Sequence, residues 1–203
     1  MSGRIVVLVS GSGSTMEALA RACARGDVPG RVVAVLADRC CAALDRARAL
    51  GAAAETLSPA GFASRAAWSE ALLERVLAYR PELVVSAGFM RVLAPVFVRA
   101  LAGSLINLHP SLLPRFPGAH AVRDALAAGA RVTGTTVHFV DEGIDTGEVI
   151  AQESVPVLAD DTEASLHERI KRVERELLPA VCRGLLEGRT AALPTPVGSR
   201  ARP

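Results

Sequence analysis

Three short stretches of the chain hold residue types suited to chemistry rather than packing. Residues 10–15 read Ser-Gly-Ser-Gly-Ser-Thr. Small residues let a backbone close round an anion, and where such a stretch opens a helix, the unpaired N–H groups and the helix dipole favour phosphate. A dinucleotide fingerprint asks for a third glycine at position 16, where Met16 stands, and Asp38 is the one hint of a ribose-binding acid. A phosphate monoester therefore fits better than NAD, although Gly11 and Gly13 could serve only the turn. The second stretch is Asn107-Leu108-His109-Pro110. On a strand, Asn107 and His109 share one side and Leu108 turns away. An amide N–H aimed at a developing oxyanion, beside an imidazole that donates or moves a proton, suits acyl chemistry. A polar strand end capped by turn residues would look the same. The third is Asp145, flanked by Gly143 and Gly147. These glycines would let its loop fold back over the sheet end, where a carboxylate near His109 could hold an imidazolium and relay a proton. Asp141 and Glu142 read as solvated.

The elements that must position these groups follow from hydrophobic patterning. Residues 5–9, Ile-Val-Val-Leu-Val, form a continuous apolar run of the kind found in strands buried on both faces, and similar runs recur at 32–37, 83–87 and 105–108. Helical spacing occupies 16–23, 41–50 and 66–79 between them. Strand, helix and strand in succession imply a doubly wound, mostly parallel α/β sheet with helices on both faces. Residues 132–140 and 149–157 are strand-like segments joined by an acidic, glycine-containing connection, which predicts antiparallel strands at the C-terminal edge. A long helix follows from Thr162, a good N-cap with Glu163 in its first turn, to Gly188. Leu166, Ile170, Val173, Leu177, Val181 and Leu185 form its buried stripe, and Pro179 is expected to kink it. No repeat or linker divides the chain. One domain over 1–188 is expected, with a loose, proline-containing tail at 189–203.

Composition excludes several classes. The 203 residues are 50% hydrophobic, enough for a full core and too many for a disordered or fibrous chain. With 23 basic and 21 acidic residues the formal net charge is +2, too small for the field that holds a phosphate polymer, and five Phe, one Trp and one Tyr supply no rows of base-stacking rings. Small-molecule partners are expected, with no nucleic acid. Cysteines at 23, 40, 41 and 182 lack zinc spacing and read as reduced, mostly buried small hydrophobes. The apolar run at 5–9 is too short for a signal peptide or membrane span, so a soluble cytoplasmic protein is expected, as monomer or homodimer.

Five strings carry a resemblance: V-L-V-S-G-S-G-S at 7–14, A-G-F-M-R-V-L at 87–93, N-L-H-P-S-L-L-P-R-F-P-G at 107–118, G-T-T-V-H-F-V at 134–140 and D-E-G-I-D-T-G-E-V-I at 141–150. In this order they resemble the folate-dependent formyltransferase superfamily over nearly the whole chain to about residue 188, and within it the branch that formylates glycinamide ribonucleotide in purine synthesis. The resemblance implies a single-domain, Rossmann-like formyltransferase fold and a catalytic trio of Asn107, His109 and Asp145. It implies a phosphate segment at Gly13, Ser14 and Thr15, with Thr15 where the family often has Asn. Lys171 and Glu174 are implied as the clamp on the ribonucleotide. They stand three residues apart off the apolar stripe, which predicts a shared open face, and Lys171 is the one lysine among the 23 basic residues. Folate contacts are implied at Arg65, Met90, Arg91, Val92, Leu93, Asn107, Val140 and Asp141, with Arg65 and Arg91 meeting carboxylates of the co-substrate. Met90 and Leu93 could instead be ordinary core.

Among the remaining histidines, His120 reads as a possible substrate contact, His138 as a structural strand residue and His167 as a surface residue. Leu113-Pro114 is implied to be cis. Related methionyl-tRNA formyltransferases carry an extra C-terminal domain and Arg-Trp-Arg-Gly where this chain has Arg115-Phe116-Pro117-Gly118, and formyltetrahydrofolate hydrolases add an N-terminal domain; 203 residues leave room for neither. The expected reaction is direct transfer of a formyl group from 10-formyltetrahydrofolate to the ribonucleotide amine, with no metal. The alternatives are another formyltetrahydrofolate-dependent transferase or hydrolase, and a non-catalytic nucleotide binder that uses Gly11, Gly13 and Asp38 but not the trio.

Overall fold

A computed structural model describes residues 3–188, which form one seven-stranded sheet in the order β3-β2-β1-β4-β5-β6-β7. The strands are β1 (Gly3–Val9), β2 (Gly30–Ala37), β3 (Ala53–Thr56), β4 (Leu83–Ser86), β5 (Leu105–His109), β6 (Val132–Phe139) and β7 (Val149–Pro156). The first five in that order pair parallel, and β5–β6 and β6–β7 pair antiparallel. The helices are α1 (Ser14–Arg25), α2 (Ala42–Ala49), α3 (Arg65–Ala78), α4 (Pro95–Ala100), α5 (Ala121–Ala127) and α6 (Glu163–Leu186). Both the parallel body and the antiparallel edge agree with the patterning.

Alternation along β1 divides the core. Ile5, Val7 and Val9 pack with α1, α2 and α6, while Val6 and Leu8 pack with Trp68, Leu72 and Val76 of α3 and Phe97 of α4. All five β1 side chains are fully buried, which is why the run is continuous rather than alternating. The sheet winds from β1 toward β3 in one direction and from β4 toward β7 in the other. Its crevice therefore opens at the carboxyl ends of β1 and β4, the usual ligand position in such sheets.

Edge strand β3 and the short helices α4 and α5 are additions to the patterning; a four-residue strand and helices of six and seven residues are too brief to show a period. Helix α6 begins in a capping box, Thr162 accepting from the Ser165 amide and Ser165 from that of Thr162, and it runs through Pro179 to Leu186. Leu166, Ile170, Leu177 and Val181 of the predicted stripe are at most 4% exposed, each contributing about 1.5–3 kcal/mol by burial. The expected tail at 189–203 lies outside the described residues. Among these, no helix is long and apolar enough to cross a membrane. The four cysteines are free, but only Cys182 is buried, and Cys40 is exposed at the loop before α2. Thr162→Ala should cost about 1 kcal/mol, lowering the Tm by about 2–4 °C in thermal unfolding while leaving turnover unchanged.

Candidate active site

Strand β5 and the β6–β7 connection bring the catalytic candidates together. Asn107 pairs across the ladder with His138, and His109 with Thr136. The connection is pinched at Gly147, where a Cβ would stand 1.8 Å from the Phe139 carbonyl oxygen, so only glycine lets the loop return this tightly. Asp145 then adopts a left-handed backbone, φ 56°, which Asp tolerates better than most residues. Its Oδ2 lies 3.3 Å from His109 Nδ1, and its Oδ1 lies 3.6 Å from His138 Nε2. The predicted contact between Asp145 and His109 is thus present, and it includes a fourth residue.

Hydrogen-bond chemistry assigns the protons. His109 Nε2 lies 2.7 Å from the Phe116 carbonyl oxygen, which can only accept, so Nε2 carries hydrogen and Nδ1 faces Asp145. His138 Nδ1 likewise donates to the Phe139 carbonyl oxygen at 2.8 Å. This leaves His138 Nε2 to accept from Asn107 Nδ2 at 3.2 Å. The amide of Asn107 is thereby oriented, with its second N–H turned to no other protein acceptor among the described residues. His138 is therefore more than a structural strand residue: it sets the face that Asn107 presents. Its β-branched surroundings hid this, and the signal lay in the cross-strand register, which a single strand does not display.

Burial pushes the Asp145 carboxyl up, but the His138 ring, the Gly118 amide at 2.7 Å and the His109 ring outweigh it and hold it below the usual value. For His109, burial lowers the imidazole pKa more than the Phe116 carbonyl and Asp145 raise it. The site therefore rests as a carboxylate beside a neutral imidazole whose Nδ1 is ready to take a proton.

The turn after β5 is tied down at several points. Ser111 Oγ donates to the Arg115 carbonyl oxygen at 2.5 Å, Thr136 Oγ1 donates to the Ser111 carbonyl oxygen at 2.6 Å, and Gln152 Nε2 donates to the Leu113 carbonyl oxygen at 2.8 Å. The Leu113-Pro114 bond is cis.

A cleft of about 280 Å³ opens above these groups, lined by Met90 to Leu93 on one side, Asn107, His109 and His138 on its floor, and Val140, Asp141 and Asp145 on the other. Met90 and Val92 are 59% and 54% exposed, so Met90 is not core, whereas Leu93 is half-buried against the α3 cluster. Asp141 is exposed but braces its loop, accepting from the Gly143 amide and from Thr146 Oγ1, and Glu142 pairs with Arg99 at 2.6 Å. Arg65 lines an adjoining groove of about 400 Å³ that shares Met90, Arg91 and Val92 with the cleft. Arg91 is pinned by its Nε to Asp38 at 2.7 Å. Asp38 is 1% exposed and engaged by Arg91 and Arg39, so it is not an open ribose-binding acid, and the nucleotide-binder alternative loses its main support. His120 is exposed before α5 and lies outside the cleft lining; His167 is half-buried, not a free surface residue.

At the end of β1, Gly13 caps α1 with φ 73°, and a Cβ there would stand 2.5 Å from Ala43 Cβ. No side chain caps the helix, which leaves the first-turn amides open to an anion near Ser14. Thr15 is 8% exposed, and its hydroxyl donates to Glu174 at 3.4 Å. The shared open face expected for Lys171 and Glu174 is corrected here: Lys171 is half-buried, but Glu174 is 8% exposed because α6 packs on α1. Burial pushes the Glu174 carboxyl up against the hydrogen bond from Thr15 and the charge of Lys171. Thr135 Oγ1, on β6, donates to the His109 carbonyl oxygen at 3.3 Å. Among the described residues no group of three or more His, Cys, Asp or Glu could hold a metal ion.

Residues 3–182 match the family described as formyl transferase. The chain is 50% identical over 196 residues to phosphoribosylglycinamide formyltransferase of Mycobacterium tuberculosis, covering 94% of this chain and 91% of that protein. It is 44% identical over 186 residues to the Escherichia coli protein of the same name, covering 91% and 88%. The crystal structure of glycinamide ribonucleotide transformylase 1 from Symbiobacterium toebii superposes with a TM-score of 0.91 at 44% identity, covering 93% of this chain and 89% of that one.

Because the folded pKa of His109 lies below that of a free imidazole, about 6.5, the neutral form is native. Its stability contribution is complete above about pH 6.5 and is lost as pH falls through the folded value. Urea unfolding of His109→Asn should therefore lose less stability than the parent between about pH 7.5 and 5.5; an equal loss contradicts the burial assigned to this ring.

Proposed function

The chain belongs to the formyl transferase family, and from that membership and the shape of the cleft we propose that it moves the formyl group of 10-formyltetrahydrofolate to the amine of phosphoribosylglycinamide, a step of purine synthesis. The observation that carries the mechanism is the convergence of the Asn107 amide, the His109 imidazole and the Asp145 carboxylate on one cleft.

The ribonucleotide binds by its phosphate at the α1 N-terminus, at Gly13, Ser14 and the Thr15 turn, with Lys171 and Glu174 alongside. Thr15 contributes through its backbone, since its hydroxyl already bonds Glu174. The folate ring occupies the slot between Met90, Val92 and Leu93 and the backbone of Val140 and Asp141, and its carboxylates reach Arg65 and Arg91 in the adjoining groove. Both reactants then meet at the end of β5, which replaces a bimolecular encounter by a positioned one.

The free amine attacks the formyl carbon, the new C–N bond forms, and negative charge collects on the formyl oxygen. The open N–H of Asn107 donates to that oxygen, and so does His109, once a shift of the 110–118 turn releases Nε2 from the Phe116 carbonyl. Charge developing on the oxygen favours uptake of a solvent proton at His109 Nδ1, where Asp145 accepts the new hydrogen bond, and that proton returns to solvent as the oxyanion collapses. Asp145 also takes the proton lost by the amine and passes it, through water, to the departing folate nitrogen. The bond from that nitrogen to the formyl carbon then breaks, releasing tetrahydrofolate and the formylated amine with no covalent enzyme intermediate. Residues 1–188 are the working domain, consistent with the family match over 3–182. The enzyme acts on small molecules in the cytoplasm, as monomer or homodimer.

Asn107→Ala should lower kcat about 10²- to 10³-fold, the usual loss of one oxyanion donor, with the Tm within a few degrees of the parent. Near-parental turnover in a formyl-transfer assay contradicts the role assigned to the amide.

A further inference from the structure

Asp38 stands just past β2, beyond the cleft lining, and is 1% exposed. Burial pushes its carboxyl up, but bonds from Arg91 and Ser10, with Arg39 beside it, outweigh burial and hold it below the usual value. An ionised carboxylate kept this deeply is normally there for its partners. Arg91 Nε donates to Oδ2 at 2.7 Å, and Arg39 Nε donates to Oδ1 at 3.4 Å. At the end of β1, Ser10 Oγ accepts from the Met90 amide at 2.8 Å while its N–H donates to the Gly88 carbonyl oxygen at 3.1 Å, which fastens the loop that carries Arg91. Asp38 thus sits where the end of β2 meets the loop that walls the folate slot, bonded to that loop through Arg91.

Only one edge of Arg91 is used. Its η nitrogens bond no protein acceptor among the described residues, and its side chain is 43% exposed, on the boundary shared by the cleft and the groove holding Arg65. A guanidinium gripped at Nε offers its η N–H pair as a planar fork, the geometry that matches a carboxylate. An ungripped arginine keeps the charge but must lose rotamer freedom on each capture.

We propose that Asp38 is a positioning residue for the folate co-substrate, holding the Arg91 fork toward the carboxylates of the folate tail. This rests on the formyl-transfer reading above. Asp38 touches neither reactant, so its loss is read in capture of the tail and not in the transfer step.

The test is steady-state kinetics of Asp38→Asn, which keeps shape and removes charge, with 10-formyltetrahydrofolate and with 10-formyltetrahydropteroate, which lacks the glutamate tail. The KM for the complete co-substrate should rise about tenfold, while kcat, the KM for phosphoribosylglycinamide and the KM for the tail-less compound stay within about twofold of the parent. Arg91→Ala should give a similar loss, and the double variant little more than either single one, because both act through one guanidinium. Equal losses with the two co-substrates, a rise in the ribonucleotide KM, or multiplying losses in the double variant would overturn the proposal. Should Asp38→Asn fail to fold, Arg91→Lys decides: lysine can still pair with Asp38 but has no fork, so it should lose the preference for the tailed compound as fully as Arg91→Ala, and a retained preference overturns the idea. Failure of the reaction assignment itself looks different, since the parent would then transfer no formyl group from either co-substrate.

Discussion

The carboxylate of Asp145, set between two imidazoles and a backbone amide, is the contact on which the site depends. It closes the β6–β7 connection onto the end of β5, and its bond to the Gly118 amide fastens the turn after β5 to the same point. Were the group protonated or absent, an imidazolium formed at His109 would have no counter-charge, and the turn would lose one of its ties. The cost of burying this carboxylate is met by three polar neighbours, and so the group remains an anion in a place where burial alone favours the acid.

Antiparallel pairing of β6 beside β5 gives the site its chemistry. Antiparallel pairing sets Phe139 opposite Ile106, near the start of β5, and the connection that follows folds back so that Asp145 reaches His109. The same register places His138 opposite Asn107, so one side chain of the adjoining strand orients the Asn107 amide. On the other side of the crevice, the Thr15 hydroxyl in the first turn of α1 donates to Glu174 of α6.

Much of this was legible in the residues. The five-residue apolar run of β1 announced a sheet buried on both faces, alternation put Asn107 and His109 on one side, and the glycines round Asp145 marked a loop able to fold back. What could not be read has physical reasons. The strand Ala53–Thr56 is half-exposed and carries no period, and α4 and α5 are shorter than two turns. His138 sat in a β-branched run that reads as a structural strand, and its contact with Asn107 exists only across a strand pair. Glu174 lay off the apolar stripe of α6 and so promised solvent, but α1 covers that flank of the helix. Asp38 looked like a ribose ligand because it ends β2, and only the fold shows that Arg91, distant in sequence, reaches it.

The central claim is that amide, imidazole and carboxylate surround the carbon that changes hands. A crystal structure with phosphoribosylglycinamide and a folate analogue bearing an unreactive group in place of the formyl tests it most directly. The account predicts the oxygen of that group within hydrogen-bonding distance of Asn107 Nδ2 and a nitrogen of His109, with the ribonucleotide amine facing the same carbon and its phosphate on the first turn of α1. An analogue seated elsewhere, or one whose transferable group points away from Asn107 and His109, would contradict it.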